Sequence, residues 1–264
     1  MIDSSIVVIP NQIQLALTVA HPSWQAILSA GLQAMVQVYP TYLSELVTTE
    51  YMPTENRLFA AFTQPLDAVK YVLMGEGPYL RPASATGVCF MDGAVGSLWS
   101  QNGLSKQVNR ATSLRNFMKM LLVADGQLHI EKTTGDAMGE VAARAQSAAS
   151  TMIQSLADLQ HNLTAQGFLL LSATLVFRPD VAPAKEAKPW QVFMQTVLLG
   201  LAERKAVALP ILVLWGKIAE QFNALPLVTQ FPKAVAEHPY NLSFIGNTGM
   251  QVLFGPMLLL KKQV

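Results

Sequence analysis

Cysteine occurs once in these 264 residues, as Cys89, so no internal disulfide can form and the chain suits a reducing, cytoplasmic setting. A lone thiol reads as a packing residue. Charge is scarce too. Only 13 % of residues are charged, and eighteen basic against seventeen acidic side chains leave a net charge of +1. Proteins that hold nucleic acid mainly by neutralising phosphates are usually more basic. Lys106, Arg110, Arg115 and Lys119 form a candidate basic face, with a solvated helix face as the alternative. Hydrophobic residues make up 51 % of the chain, yet the longest apolar runs, around Phe168–Leu171 and Ala208–Trp215, fall short of the roughly 18 residues a membrane span needs. No basic region precedes Ile6-Val7-Val8-Ile9, so neither a secretory leader nor a membrane association is expected. No repeat, low-complexity tail or linker divides the sequence, and residues 1–264 read as one domain.

Apolar runs with β-branched content recur at Tyr71–Met74, Phe168–Val176 and Pro210–Leu214, with a weaker one at Ala234–Ala236. Helix-length segments separate them. This alternation predicts an α/β fold: a central four-stranded parallel sheet flanked by helices. Helices are expected at Leu114–Val123, Gln191–Ala202 and Lys217–Phe222. A long alanine- and glutamine-rich helical stretch is expected over Gly139–Gln166, after a break at Thr133-Thr134-Gly135-Asp136 with Asp136 as cap. Arg178–Pro189 reads as an exposed loop. In such a sheet, ligands bind where loops leave the carboxyl ends of the strands. Glu76 to Tyr79, Ser172 and His238 fall at those ends.

Two segments carry the chemistry. Gly75-Glu76-Gly77-Pro78-Tyr79-Leu80 follows the first strand, with Phe90 ten residues on, and His238-Pro239-Tyr240-Asn241-Leu242-Ser243 follows the last. Together they resemble the two signature motifs of family 1 uracil-DNA glycosylases. Other pieces extend the resemblance from Trp24 to Phe254: Tyr51-Met52-Pro53, Leu58–Phe62, Pro65–Lys70, Ser113-Leu114-Arg115-Asn116, Gly167–Leu171, Pro189-Trp190 with Phe193, and Leu214-Trp215-Gly216 with Ala219. The segment from Val123 to Gln166 reads as longer than its family equivalent.

The resemblance implies a base pocket built from Gly75, Gly77, Pro78, Tyr79, Phe90 and Ser172. Within it, Phe90 would stack on the base and Tyr79 would block the 5-methyl group of thymine. Leu242 would be the apolar wedge that unstacks the duplex, and Ser113 and Ser243 would grip phosphates. His238 would donate a hydrogen bond to the oxygen of the leaving base. Three positions depart from the family pattern. Gly77 stands where the water-activating aspartate belongs, Leu80 where a histidine does, and Ser172 where an asparagine reads uracil. A serine offers one hydroxyl instead of a donor and an acceptor. The adjacent Glu76 is the candidate replacement carboxylate, since Gly-Glu-Gly-Pro resembles the glutamate-bearing motif of family 4 enzymes. The four-cysteine iron-sulfur cluster of those enzymes has no counterpart in a one-cysteine chain.

The activity implied is hydrolysis of the N-glycosidic bond of uracil or a related damaged base in DNA, with no metal and no other cofactor. The alternative is a catalytically inactive glycosylase fold that serves as a DNA-binding or protein-interaction module. A protein partner could dock on the helical segment 139–166 if its alanine-rich face proved apolar and exposed.

Overall fold

The computed structural model describes residues 9–205 and 208–263. Of the Ile6–Ile9 run only Ile9 lies within them. β1 (Tyr71–Gly75) opens the main sheet, and β2 (Trp99–Ser100) with β3 (Gly103–Leu104) forms a separate small hairpin. β4 (Phe168–Ser172), β5 (Ile211–Trp215) and β6 (Lys233–Ala236) complete the main sheet, in the order β4-β1-β5-β6 with every neighbouring pair parallel. The α/β architecture with a four-stranded parallel sheet is therefore as the sequence indicates.

A parallel sheet is covered on both faces, which is why its strands are almost continuously apolar. Val72, Met74, Leu169, Leu171, Leu212 and Leu214 face a core shared with the helices Gln25–Val38 and Pro183–Ala202. Leu73, Phe168, Leu170, Val213 and Trp215 face a second core. It is shared with the helices Thr112–Ala124, Asp136–Gln146, Leu156–Ala165 and Thr248–Phe254. Lys233 and Val235 of the edge strand β6 remain exposed.

Several sequence expectations need correction. The run Phe168–Val176 is strand only to Ser172, which pairs with Gly75, the last residue of β1. The stretch Gly139–Gln166 is two helices, Asp136–Gln146 and Leu156–Ala165. The second begins at a capping box in which Ser155 and Asp158 satisfy each other's backbone N–H groups. The first is capped by Gly135 at φ 58°, and Asp136 is its first residue. Met138, Val141, Ala142 and Ala145 are buried, so the apolar face of that helix already packs on the core and offers no partner surface.

Arg178–Pro189 is not wholly a loop, because a helix spans Pro183–Ala202. Pro183 occupies its first turn, where a missing N–H costs nothing, whereas Pro189 inside it would break an isolated helix. Tertiary contacts hold it. Glu186 is 3 % exposed and accepts from Arg178 at 2.7 and 3.3 Å and from the Tyr42 hydroxyl. The Trp190 indole N–H donates to the same Tyr42 oxygen at 2.6 Å, and the Arg178 guanidinium lies 5.3 Å from the Tyr42 ring centroid. Hydropathy does not reveal a buried ion pair of this kind.

Candidate active site

The loops leaving β1 and β4 converge at the carboxyl end of the sheet. Gly77, Pro78, Tyr79, Phe90 and Ser172 line one recess there, together with Cys89 and Leu175. Its volume is about 10 Å³, the room one water takes. Phe90 has φ +69°, a left-handed conformation that is strained for an aromatic residue and that clusters at functional sites. The rings of Phe117 and Trp215 hold it edge-on at 5.3 and 5.5 Å. The Tyr79 hydroxyl donates to the Phe90 carbonyl at 3.4 Å. Burial, with smaller contributions from Asp92 and Cys89, raises the Tyr79 pKa and keeps the phenol neutral.

Ser172 is buried at the end of β4, beside Cys89 in the lining of the recess. Burial pushes the Cys89 thiol up to about 12, against the lowering effect of Ser172 and the Gly75 backbone. It is therefore a protonated packing group, since nucleophilic chemistry needs the thiolate. Gly75 lies so close to it that a Cβ there would overlap Cys89 Sγ.

Glu76 does not line the recess. It is exposed and borders a second, larger cleft. Its carboxylate nonetheless acts on His238. Burial lowers the His238 pKa below the ordinary 6.5 and the Glu76 charge opposes the shift. The residue keeps contact with solvent, but its ring is packed closely enough for the charged form to be disfavoured. The Tyr240 N–H donates to His238 Nδ1 at 3.1 Å. That bond assigns the proton of the neutral ring to Nε2. Gly216, after β5, has φ +60°, and a Cβ on it would stand 2.8 Å from His238 Cβ. Only glycine fits beside the histidine without strain.

The 238–243 loop is fixed from below by a residue to which the sequence assigns no role. Asn116 is fully buried, and its Nδ2 donates to the carbonyls of Pro239, Tyr240 and Asn241 at 2.7, 3.3 and 3.3 Å. Its place in Ser113-Leu114-Arg115-Asn116 was the available signal. Leu242, on the same loop, is 69 % exposed. Ser243 is exposed, and the neighbouring Glu237 carboxylate accepts from Asn247 at 2.7 Å. Burial disfavours the Glu237 charge, but the influence of its own backbone, Ser243 and Asn247 prevails and holds the carboxyl below its ordinary range. Glu237 thus serves the loop turn.

Ser113 is half-buried in the first turn of the Thr112–Ala124 helix, which has no side-chain cap, so amides are free to meet an anion. Leu80 is 66 % exposed. The candidate basic face is smaller than the sequence suggests. Lys119 is buried, and burial followed by the Arg115 charge lowers its pKa. Arg115 is tied to Asn116 Oδ1 and the Asn109 carbonyl.

No family model matches the chain. Solved structures do. The wild-type UNG of Nitratifractor salsuginis superposes with a TM-score of 0.85 at 36 % identity, over 96 % of this chain and 98 % of that one. The chain belongs to the uracil-DNA glycosylase superfamily. A variant of the same Nitratifractor protein gives a TM-score of 0.86 at 35 % identity, over 96 % and 99 % of the two chains. Among curated relatives, the uracil-DNA glycosylase of Corynebacterium glutamicum is 27 % identical over 224 residues, 84 % of this chain and 81 % of that protein. Uracil-DNA glycosylase 2 of Streptomyces coelicolor is 28 % identical over 231 residues, covering 84 % and 82 %. Membership sets the class of chemistry: this is a superfamily of DNA glycosylases. Among the described residues, no helix is long and apolar enough to cross a membrane.

Proposed function

We propose that this superfamily member flips uracil or a related damaged base out of DNA and hydrolyses its N-glycosidic bond. The reading is supported by an aromatic recess at the carboxyl end of the sheet, Tyr79 and Phe90 with Ser172, and by a histidine after β6 whose Nε2–H is directed by the bond at Nδ1. Leu242 enters the base stack and the unstacked base enters the recess against Phe90, with Tyr79 excluding a 5-methyl group. As the bond between base and sugar breaks, negative charge gathers on a base oxygen. His238 Nε2–H donates to it, a contribution of roughly 3 to 4 kcal/mol for a preorganised donor.

Glu76 is exposed outside the recess, so it orients the attacking water and offsets the cationic sugar only once its side chain turns towards the bound base. The water oxygen bonds the sugar carbon, its proton passes to the carboxylate, and the base departs with the electrons of the glycosidic bond. Ser113 and Ser243 meet the phosphates. Ser172 has one hydroxyl in place of an amide's donor and acceptor, so discrimination among bases is looser than an asparagine would give. The lone buried thiol fits a cytoplasmic setting.

One observation favours a second reading, a DNA-binding module without turnover: the recess has room for about one water, so a base enters only as its walls part. Mass spectrometry of bases released from oligonucleotides carrying uracil, thymine or hypoxanthine separates the two. Uracil release with thymine retained supports the glycosylase. DNA binding with no base released supports the module.

A further inference from the structure

Among the described residues, the four most exposed large apolar side chains are Val252, Leu242, Tyr240 and Leu80. Single apolar residues on a surface are ordinary. Three of these four, however, stand at the carboxyl end of the sheet, Leu80 on the loop after β1 and Tyr240 and Leu242 on the loop after β6.

Tyr240 is distinguished by the way its backbone is held. The Asn241 N–H donates to the His238 carbonyl at 2.9 Å, closing a turn with Pro239 and Tyr240 at its centre. Proline presets the first of those positions. The Tyr240 N–H donates to His238 Nδ1 at 3.1 Å, and the Tyr240 carbonyl accepts from the buried Asn116 amide at 3.3 Å. These bonds use main-chain atoms of residue 240, so the turn does not depend on its ring. The side chain itself is 68 % exposed. An aromatic ring with two χ angles on a fixed backbone loses little entropy when it meets a surface.

Base extrusion creates such a surface. When a base leaves the duplex, Leu242 fills its place and the base opposite, in the complementary strand, is left unpaired. One aliphatic side chain covers only one of the two positions. Tyr240 lies two residues from Leu242, at most about 7 Å along the chain, a reach comparable with the separation of two paired bases. An aromatic face suits an unpaired base of any identity. Where uracil arises by deamination of cytosine, that base is guanine, whose fused rings present the larger face.

We propose that Tyr240 stacks on the base opposite the extruded one, so that Tyr240 and Leu242 together keep the duplex open. This rests on the base-flipping reading of the recess and of Leu242.

The test is a thermodynamic cycle between residue 240 and the opposite base. Binding is read by fluorescence anisotropy on duplexes carrying 2′-fluoro-deoxyuridine, which resists hydrolysis, opposite guanine or opposite an abasic tetrahydrofuran, and on the single strand. The cost of opening the pair differs between the duplexes but is the same for every protein variant, so it cancels in the cycle. Tyr240→Ala should weaken binding about tenfold opposite guanine, the value of one stacked base, and leave binding to the other two DNAs unchanged. Tyr240→Phe, which keeps the ring and removes the hydroxyl, should match the wild type. Melting temperatures equal to that of the wild type show that both variants are folded. An equal loss on all three DNAs, a loss on none, or a loss in Tyr240→Phe as large as in Tyr240→Ala overturns the stacking, as does a wild type that binds none of them. Base release is read separately. No release with the cycle intact counts against the hydrolytic reading alone, and a failed cycle with release intact counts against the stacking alone.

Discussion

Asn116 donates to the Pro239 carbonyl across 2.7 Å, joining the interior of the Thr112–Ala124 helix to the loop that carries His238 and Leu242. The same amide reaches the next two carbonyls. One buried side chain therefore sets the height of both the electrophile and the wedge. Asn116→Ala leaves the buried Pro239 carbonyl without this donor, a loss that costs about 1 to 3 kcal/mol. A lower midpoint in urea is expected, together with a fall in base excision of about tenfold or more. Asn116→Asp, which cannot donate from an ionised carboxylate, should not rescue it.

His238 should titrate below 6.5, because burial disfavours its charge. Glu76 opposes that shift, so Glu76→Gln should lower the value further. NMR of the imidazole resonances reads both shifts without any turnover. The linkage sign follows. As pH falls below 6.5 the unfolded chain takes up the proton first, so this group's stabilisation is present above that pH and is lost on acidification towards the folded value.

Leu242 presents most of its side chain to solvent, an arrangement with no packing purpose. Leu242→Ala should leave the melting temperature unchanged. It should reduce excision from duplex DNA about tenfold while sparing single-stranded DNA, in which less stacking must be broken. An equal loss on both substrates would reassign the residue.

Glu186 is held by Arg178 and Tyr42, and both partners of the ion pair are nearly inaccessible, at 11 % and 3 % side-chain exposure. Glu186→Ala strands a buried guanidinium, and losses of this type run to about 3 to 5 kcal/mol. Chemical denaturation should show a loss of that size, while Glu186→Gln, which still accepts from Tyr42, should lose less.

The sheet was legible because strands buried on both faces are written as unbroken apolar runs such as Phe168-Leu169-Leu170-Leu171. The site was legible as two motifs at strand ends. Three features were not. The helix through Pro189 contradicts local propensity and rests on the buried Glu186. The break between the helices at 136–146 and 156–165 is visible only in the Ser155–Asp158 capping box, which alanine-rich surroundings conceal. The side to which Glu76 turns depends on loop geometry that no residue pattern encodes, and the sequence does not anticipate its exposed position outside the recess.

The most direct test is single-turnover release of uracil from a labelled oligonucleotide by the wild-type chain, Glu76→Gln and His238→Ala, with Glu76→Gln/Gly77→Asp alongside. Gly77 has ordinary room for a Cβ, so the last variant supplies a carboxylate one residue away. Release by the wild type, a loss of about 100-fold or more in each single variant and partial recovery in the double variant are expected. Undiminished release by Glu76→Gln, or none by the wild type at high protein concentration, would contradict a hydrolytic site built on this carboxylate.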